Sequence, residues 1–311
     1  MKNIKTLEYV NKNSKYVSIN AENIHVFLNS INSYEYHYWL STVDLDLTEE
    51  EIIIFAFVCE SMNFCFWGNR DWTVTYKDKQ YNGSEALFYT IIKIVEDDKN
   101  FLNLENLLKL KKSEFRRRLK ANNKFPPLLS KRYKLLKKTA KVIKRKKGKL
   151  FSELFSLKSD EELLNYIVNN FKHFNDKSQY KKNSIFFNKR AILLVNDLFN
   201  LSSIIKQNIG NIDSMSGGAD YAIPQILEEF GIFVYNDKLK KIIAASRNIR
   251  HNCHMEVEIR ANTLYVLELM REILNSRGIK INSIELDNII WKMRKQVNGN
   301  LPVHHTKTIF Y

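Results

Sequence analysis

With 311 residues, 44% of them hydrophobic and 27% charged, the chain has ample length and apolar content for a buried core. Nine Gly and four Pro exclude collagen-like, Pro-rich and turn-dense all-β classes, and three Cys without a CxxC spacing form no disulfide framework. The net charge of +15 is local: residues 116–149 hold sixteen Lys and Arg and no acid, which leaves 33 cations against 34 anions elsewhere.

In chain order, Met1 to Lys5 lead into no signal-peptide core. Thr48 with Glu51 has capping-box spacing directly before the apolar run Ile52 to Cys59, which falls short of the ~20 residues that cross a bilayer. Phe64 to Trp67 and Trp72 to Tyr76 are rich in aromatic and β-branched residues. With the polar Gly68-Asn69-Arg70-Asp71 between them and Lys77 to Gln80 before Tyr81, they predict an antiparallel element of up to three short strands. Pro126-Pro127 makes 122–127 the expected surface joint. The basic segment around it reads as a solvated helix face, with polyanion binding as the alternative.

Ser159 with Glu162, and Asn282 with Glu285, repeat the capping signal ahead of apolar residues. Phe187, Ala191, Leu194, Leu198 and Leu201, and then Val257, Ala261, Leu264, Leu267 and Leu274, each trace one stripe of an amphipathic helix. Gly231 fits the position just past a helix end. The fold class expected is mostly α with a small β element, in a single domain over 1–311 with a subdivision near 122–127.

The candidate chemistry is spread along this frame. His251-Asn252-Cys253-His254, Glu256, Glu258 and His304-His305 could ligate a metal, but nothing in their spacing fixes them together, so no metal is expected. Nucleotide triphosphatase, Rossmann and α/β-hydrolase motifs do not occur. In Ser216-Gly217-Gly218-Ala219-Asp220-Tyr221-Ala222-Ile223-Pro224, Pro224 requires the first turn of a helix, so Asp220 lies at its start. There it is a simple cap or a carboxylate fixed against a developing cation, and the paired glycines allow close approach by a backbone or a ligand. Lys189-Arg190 opens another helix, where cations are disfavoured unless they meet an anion such as a phosphate or Asp220. Asn63 to Trp67 is a core strand or a stacking surface for a planar base.

These segments in this order resemble the queuosine salvage proteins, the queuosine 5′-phosphate N-glycosidases: Asn63-Phe64-Cys65-Phe66-Trp67, Tyr81-Asn82-Gly83, Phe187-Asn188-Lys189-Arg190-Ala191, Ala219-Asp220-Tyr221-Ala222-Ile223-Pro224-Gln225 and Glu256-Val257-Glu258-Ile259-Arg260. Leu286 to Trp291 and Pro302-Val303-His304-His305 fit too, so the similarity runs from about residue 20 to the end. The resemblance implies a helical fold related in shape to helix-hairpin-helix DNA glycosylases. It also implies hydrolysis of queuosine 5′-monophosphate to queuine, a 7-deazaguanine destined for tRNA anticodons, and ribose 5-phosphate. The family aspartate falls on Asp220 and its lysine on Lys189. Phe66 and Trp67 become expected walls of the base pocket, Tyr221 a further substrate contact, and Glu256 and Glu258 acceptors for the amino groups of queuine. Lys189, Arg190, Arg294 and His304 or His305 become expected phosphate ligands. A cytoplasmic monomer follows, with a small nucleotide as partner, no cofactor and no membrane. The glycosylase Leu-Pro-Gly-Val-Gly hairpin is absent, which disfavours duplex DNA. The alternatives are a nucleic-acid-binding protein or DNA/RNA glycosylase using residues 116–149, and a helical interaction module in which Asp220 is only a cap.

Overall fold

A computed structural model describes residues 4–31, 46–68, 72–204, 212–296 and 301–311, with Ser33, Glu35, Tyr36 and Tyr38. Asn69, Arg70 and Asp71 of the expected turn lie outside the described residues. In chain order the elements are α1 (Ile4–Asn13), β1 (Val17–Ile19), α2 (Glu22–Ser30), α3 (Glu49–Met62), the hairpin β2 (Thr73–Tyr76) and β3 (Lys79–Asn82), α4 (Gly83–Asp97), α5 (Leu104–Lys109), α6 (Lys112–Arg118), α7 (Leu129–Arg145), α8 (Leu150–Phe155) and α9 (Asp160–Asn170). There follow the hairpin β4 (Lys177–Tyr180) and β5 (Asn183–Phe186), α10 (Lys189–Ile204), α11 (Ala222–Glu229), β6 (Phe233–Tyr235), α12 (Asp237–Ala244), α13 (His254–Ser276) and α14 (Ser283–Gln296).

The mostly helical expectation holds, with a β content that is larger and placed differently. Among the described residues there are three two-stranded antiparallel sheets, β1–β6, β2–β3 and β4–β5. Phe64 to Trp67 is not a strand. Its backbone has other partners: Cys65 N–H donates to the Tyr311 carbonyl at 2.8 Å, and the carbonyls of Met62, Phe64 and Cys65 accept from the buried Arg132 guanidinium. The hairpin turns on Lys77 and Asp78, both at positive φ (46° and 61°), so Lys79 and Gln80 belong to the strand.

The caps behave as their chemistry demands. Thr48–Glu51 and Asn282–Glu285 close reciprocal boxes, whereas Glu162 reaches back to the Lys158 N–H instead of its cap residue Ser159. Gly231, at φ +67°, ends α11: its N–H bonds to Glu228 and that of Ile232 to Leu227, both at carbonyl oxygens.

Apolar packing gathers into two principal cores. One combines α3 to α10, with α3 buried on every side. The other combines α2 with α11 to α14. Residues 122–127 turn the chain between α6 and α7, both of which pack into the first core. Among the described residues, no helix is long and apolar enough to cross a membrane.

Candidate active site

A cleft of about 720 Å³ opens along the seam between the two cores. The first core supplies Glu60 from α3, Tyr81 from β3 and Lys189 from α10; the second supplies Gln225 from α11 and Asp287 from α14, with Asp220 just ahead of α11. Aromatic surface comes from Phe66, Tyr81, Trp291 and Tyr311, which suits a planar heterocycle.

Lys189 is the first residue of α10, where the helix dipole opposes a cation. It is held there by anions. Its Nζ lies 3.4 Å from Asp220 Oδ2, with side-chain exposures of only 10% and 13%. The other oxygen of Asp220 accepts from the Ala222 N–H at 2.7 Å, so this carboxylate is fixed at both ends, by an amide and by an ammonium.

Asp287 closes the cluster from α14, accepting from the Gly218 N–H at 2.5 Å. A Cβ on Gly218 would come within 3.0 Å of the Lys189 side chain and 3.1 Å of Asp287 Oδ2; one on Gly217 would meet Leu267 at 2.5 Å. The paired glycines therefore admit neighbouring side chains and, at Gly217, the backbone carbonyl of Ser283, 3.2 Å from where a Cβ would lie, so the close backbone approach suggested by the sequence is present.

Electrostatics separates the carboxyls. Burial, followed by the negative charge of Asp220, pushes the Asp287 pKa up to about 7 against the pull of the Gly218 amide and Lys189. Burial also raises Glu60, opposed by Lys189, by the Asn63 amide that donates to both its oxygens at 3.0 and 3.1 Å, and by Arg190. Carboxyls brought to titrate near neutrality, beside one that is paired with an ammonium, are an acid–base arrangement.

The profile of the family described as Queuosine salvage protein matches residues 43–311. The chain belongs to the queuosine salvage protein family. Relatives named queuosine 5′-phosphate N-glycosylase/hydrolase include one from Sphaerobacter thermophilus, 29% identical over 268 residues (84% of this chain, 82% of the relative), and one from Bos taurus, 29% identical over 286 residues (85% and 83%). Another, from Mus musculus, is 26% identical over 330 residues and spans 97% of this chain and 96% of the relative.

Of the residues that the queuosine salvage resemblance singled out, the cleft brings together Asp220, Lys189, Phe66, Tyr221 and Arg294. Arg294 Nε donates to Gln225 Oε1 at the cleft wall. The others do not line the cleft, and all but His304 hydrogen-bond protein groups. Arg190 donates to the carbonyls of Glu60, Ser61 and His173 at 3.2, 2.8 and 2.5 Å, anchoring the end of α3 that carries Glu60. Trp67 Nε1 donates to the Thr306 carbonyl at 3.2 Å, and its ring stacks on His305 at 4.3 Å. His304 is buried, which lowers its pKa to about 4 and disfavours the cation a phosphate would need.

Glu258 accepts from the Lys15 and Tyr16 N–H groups at 2.9 and 2.7 Å and from the Tyr180 hydroxyl at 2.8 Å. Glu256 accepts from the Asn252 N–H at 3.0 Å and the Tyr311 hydroxyl at 3.0 Å. His251 touches Glu256 at 3.3 Å, but among the described residues no three His, Cys, Asp or Glu side chains gather into a metal-binding group.

Asp287 and Glu60 were missed as site residues. Glu60 had a legible signal: it ends an apolar run without a polar face, so the helix had to be buried on all sides and the acid with it. Asp287 had none, being one acid in a mixed helical pattern.

Proposed function

We propose that this cleft hydrolyses the N-glycosidic bond of queuosine 5′-monophosphate, releasing queuine and ribose 5-phosphate. The observation that carries the reading is the pairing of Asp220 with Lys189 beside the buried Asp287, inside a cleft faced with aromatic rings. Family membership supports the reaction class.

As the bond from C1′ to the base breaks, positive charge grows on the ribose and negative charge on the base. Asp220 faces the first, attacking C1′ or orienting the water that does so, and Lys189 fixes its geometry. The base needs a proton, and a 7-deazapurine has no nitrogen at position 7 to receive it. Asp287 is assigned as the group that presents the departing base with a proton, which water returns after its attack on C1′. Phe66, Tyr81 and Trp291 sandwich the heterocycle, while Arg294 takes the 5′-phosphate. Kinship in shape with helix-hairpin-helix glycosylases, a single-domain monomer and a cytoplasmic location belong to the same reading.

The test is incubation of the purified protein with queuosine 5′-monophosphate, queuosine nucleoside and single-stranded DNA, each with and without chelator. Free queuine from the monophosphate under both conditions is expected. Inactivity on the monophosphate with base release from DNA, or activity restored only by added metal, would overturn it.

A further inference from the structure

The motif Glu256-Val257-Glu258-Ile259-Arg260 contributes no side chain to the cleft, yet Arg260 is fully buried and touches three segments that do. Its Nε donates to the Ala219 carbonyl at 3.0 Å, the peptide unit directly before Asp220. One face of its guanidinium lies 3.9 Å from the ring centre of Phe187, two residues before Lys189. Tyr311, which lines the cleft, has its ring centre 4.2 Å from the same group.

The rest of the fork is fixed by acids: Nη2 donates to Asp176 at 2.5 Å and Nη1 to Glu256 at 3.4 Å. Asp176 in turn clasps the entry to α10. Its carbonyl accepts from the Phe187 N–H at 2.9 Å, and its own N–H donates to Asn188 Oδ1 at 2.9 Å. Burial works against the charge on Arg260, but Asp176 and Glu256 outweigh it and raise its pKa, so the fork stays protonated.

We propose that Arg260 is a positioning residue that sets the separation of Asp220 from Lys189, holding the chain ahead of one through the Ala219 carbonyl and the chain ahead of the other through Phe187 and Asp176. This rests on the assignment of Asp220 to the chemistry. A planar fork is required, because a lysine would keep the charge but could not donate to Ala219, Asp176 and Glu256 at once from between two rings. A misplacement on the ångström scale at a reacting group costs far more in turnover than in binding.

The experiment is steady-state kinetics on queuosine 5′-monophosphate with Arg260→Lys, Asp220→Asn and the double variant, with circular dichroism on each preparation. Arg260→Lys should lower kcat by about 10- to 100-fold with KM within about threefold, and should cost less than about threefold further once Asp220 is Asn. Phe187→Leu removes one stack and leaves the ion pairs, so it serves where Arg260→Lys does not fold. A kcat loss of about 2- to 10-fold that also vanishes in the Asp220→Asn background is expected. Wild-type kcat in Arg260→Lys, or a loss that multiplies fully with Asp220→Asn, would overturn the positioning role. Wild-type kcat in Asp220→Asn alone would fail the assignment of Asp220 itself, and the two failures are read from different variants.

Discussion

Two buried charge clusters stand back to back in this protein, joined through the Ala219 carbonyl. Around Arg260 the ions are joined to one another: the guanidinium donates to Asp176 and Glu256, the ring centres of Phe187 and Tyr311 lie 3.9 and 4.2 Å from it, and the Tyr311 hydroxyl donates to Glu256. Around Lys189 burial outweighs pairing for two of the three carboxyls. Asp220 is paired with the ammonium, while Asp287 and Glu60 feel it and are still driven toward their protonated forms. A cluster whose ions are joined to one another holds and positions structure, whereas one with carboxyls shifted toward protonation and facing a cleft can bind a cationic centre and move a proton. On the proposed function, the buried ions of the Glu256–Arg260 motif are framework and the Lys189–Asp220 pair carries the chemistry.

Breaking the Arg260 side should cost stability first. Glu256→Ala leaves Arg260 half paired and strands the Asn252 N–H and the Tyr311 hydroxyl, at about 3–5 kcal/mol. Denaturant unfolding should register that loss, and kcat per folded molecule should fall less than in Arg260→Lys, because the stronger contact of the fork to Asp176 remains. On the other side, Lys189→Ala should lower kcat/KM by about 10²-fold, since it releases Asp220 and strengthens the repulsion between that carboxylate and Asp287. Because Lys189 is engaged with Asp220, the preference for monophosphate over nucleoside should hold within about twofold in that variant and narrow in Arg294→Ala.

A subtler separation of the clusters comes from pH. The pKa of Asp287 is raised to about 7, so its protonated form persists up to that pH and is lost above it. If that proton goes to the base, kcat should decline as pH rises through about 7, and Asp287→Asn should remove this limb. A profile with the same limb in Asp287→Asn would assign it to another group. The smallest effect is expected on the basic helix. Lys144 pairs with Glu105 and Lys146 with Glu153, whereas Lys131, Lys134, Lys138 and Lys141 form an exposed row on α7. Reversing that row to Glu should leave kcat/KM within about threefold at physiological salt. A larger loss would make the segment part of substrate capture.

Much of this was legible in the sequence where local rules govern. Capping chemistry located the starts of α3, α9 and α14, Gly231 marked the end of α11, and Pro224 put Asp220 at the start of that helix. Readings that depend on distant partners failed. Phe64 to Trp67 has strand composition, but Arg132, some seventy residues on, takes its carbonyls. Strand β1 pairs with β6 across more than two hundred residues, which no local pattern reports. Glu256 and Glu258 were expected as substrate acceptors from the family resemblance, which carries no information on their protein partners. Only the fold shows that Tyr311, Arg260, Tyr180 and three backbone amides donate to them.

The division into framework and chemistry turns on the charge of Asp220. Asp220→Asn keeps an oxygen able to accept from the Ala222 N–H and removes the negative charge, so turnover and thermal midpoint should be measured on one preparation. A fall in kcat of about 10²-fold or more, with substrate binding little changed and the midpoint kept or raised, is the expected result. A variant that turns over at the wild-type rate, or loses activity only as it loses fold, would reduce Asp220 to a helix cap and contradict the division.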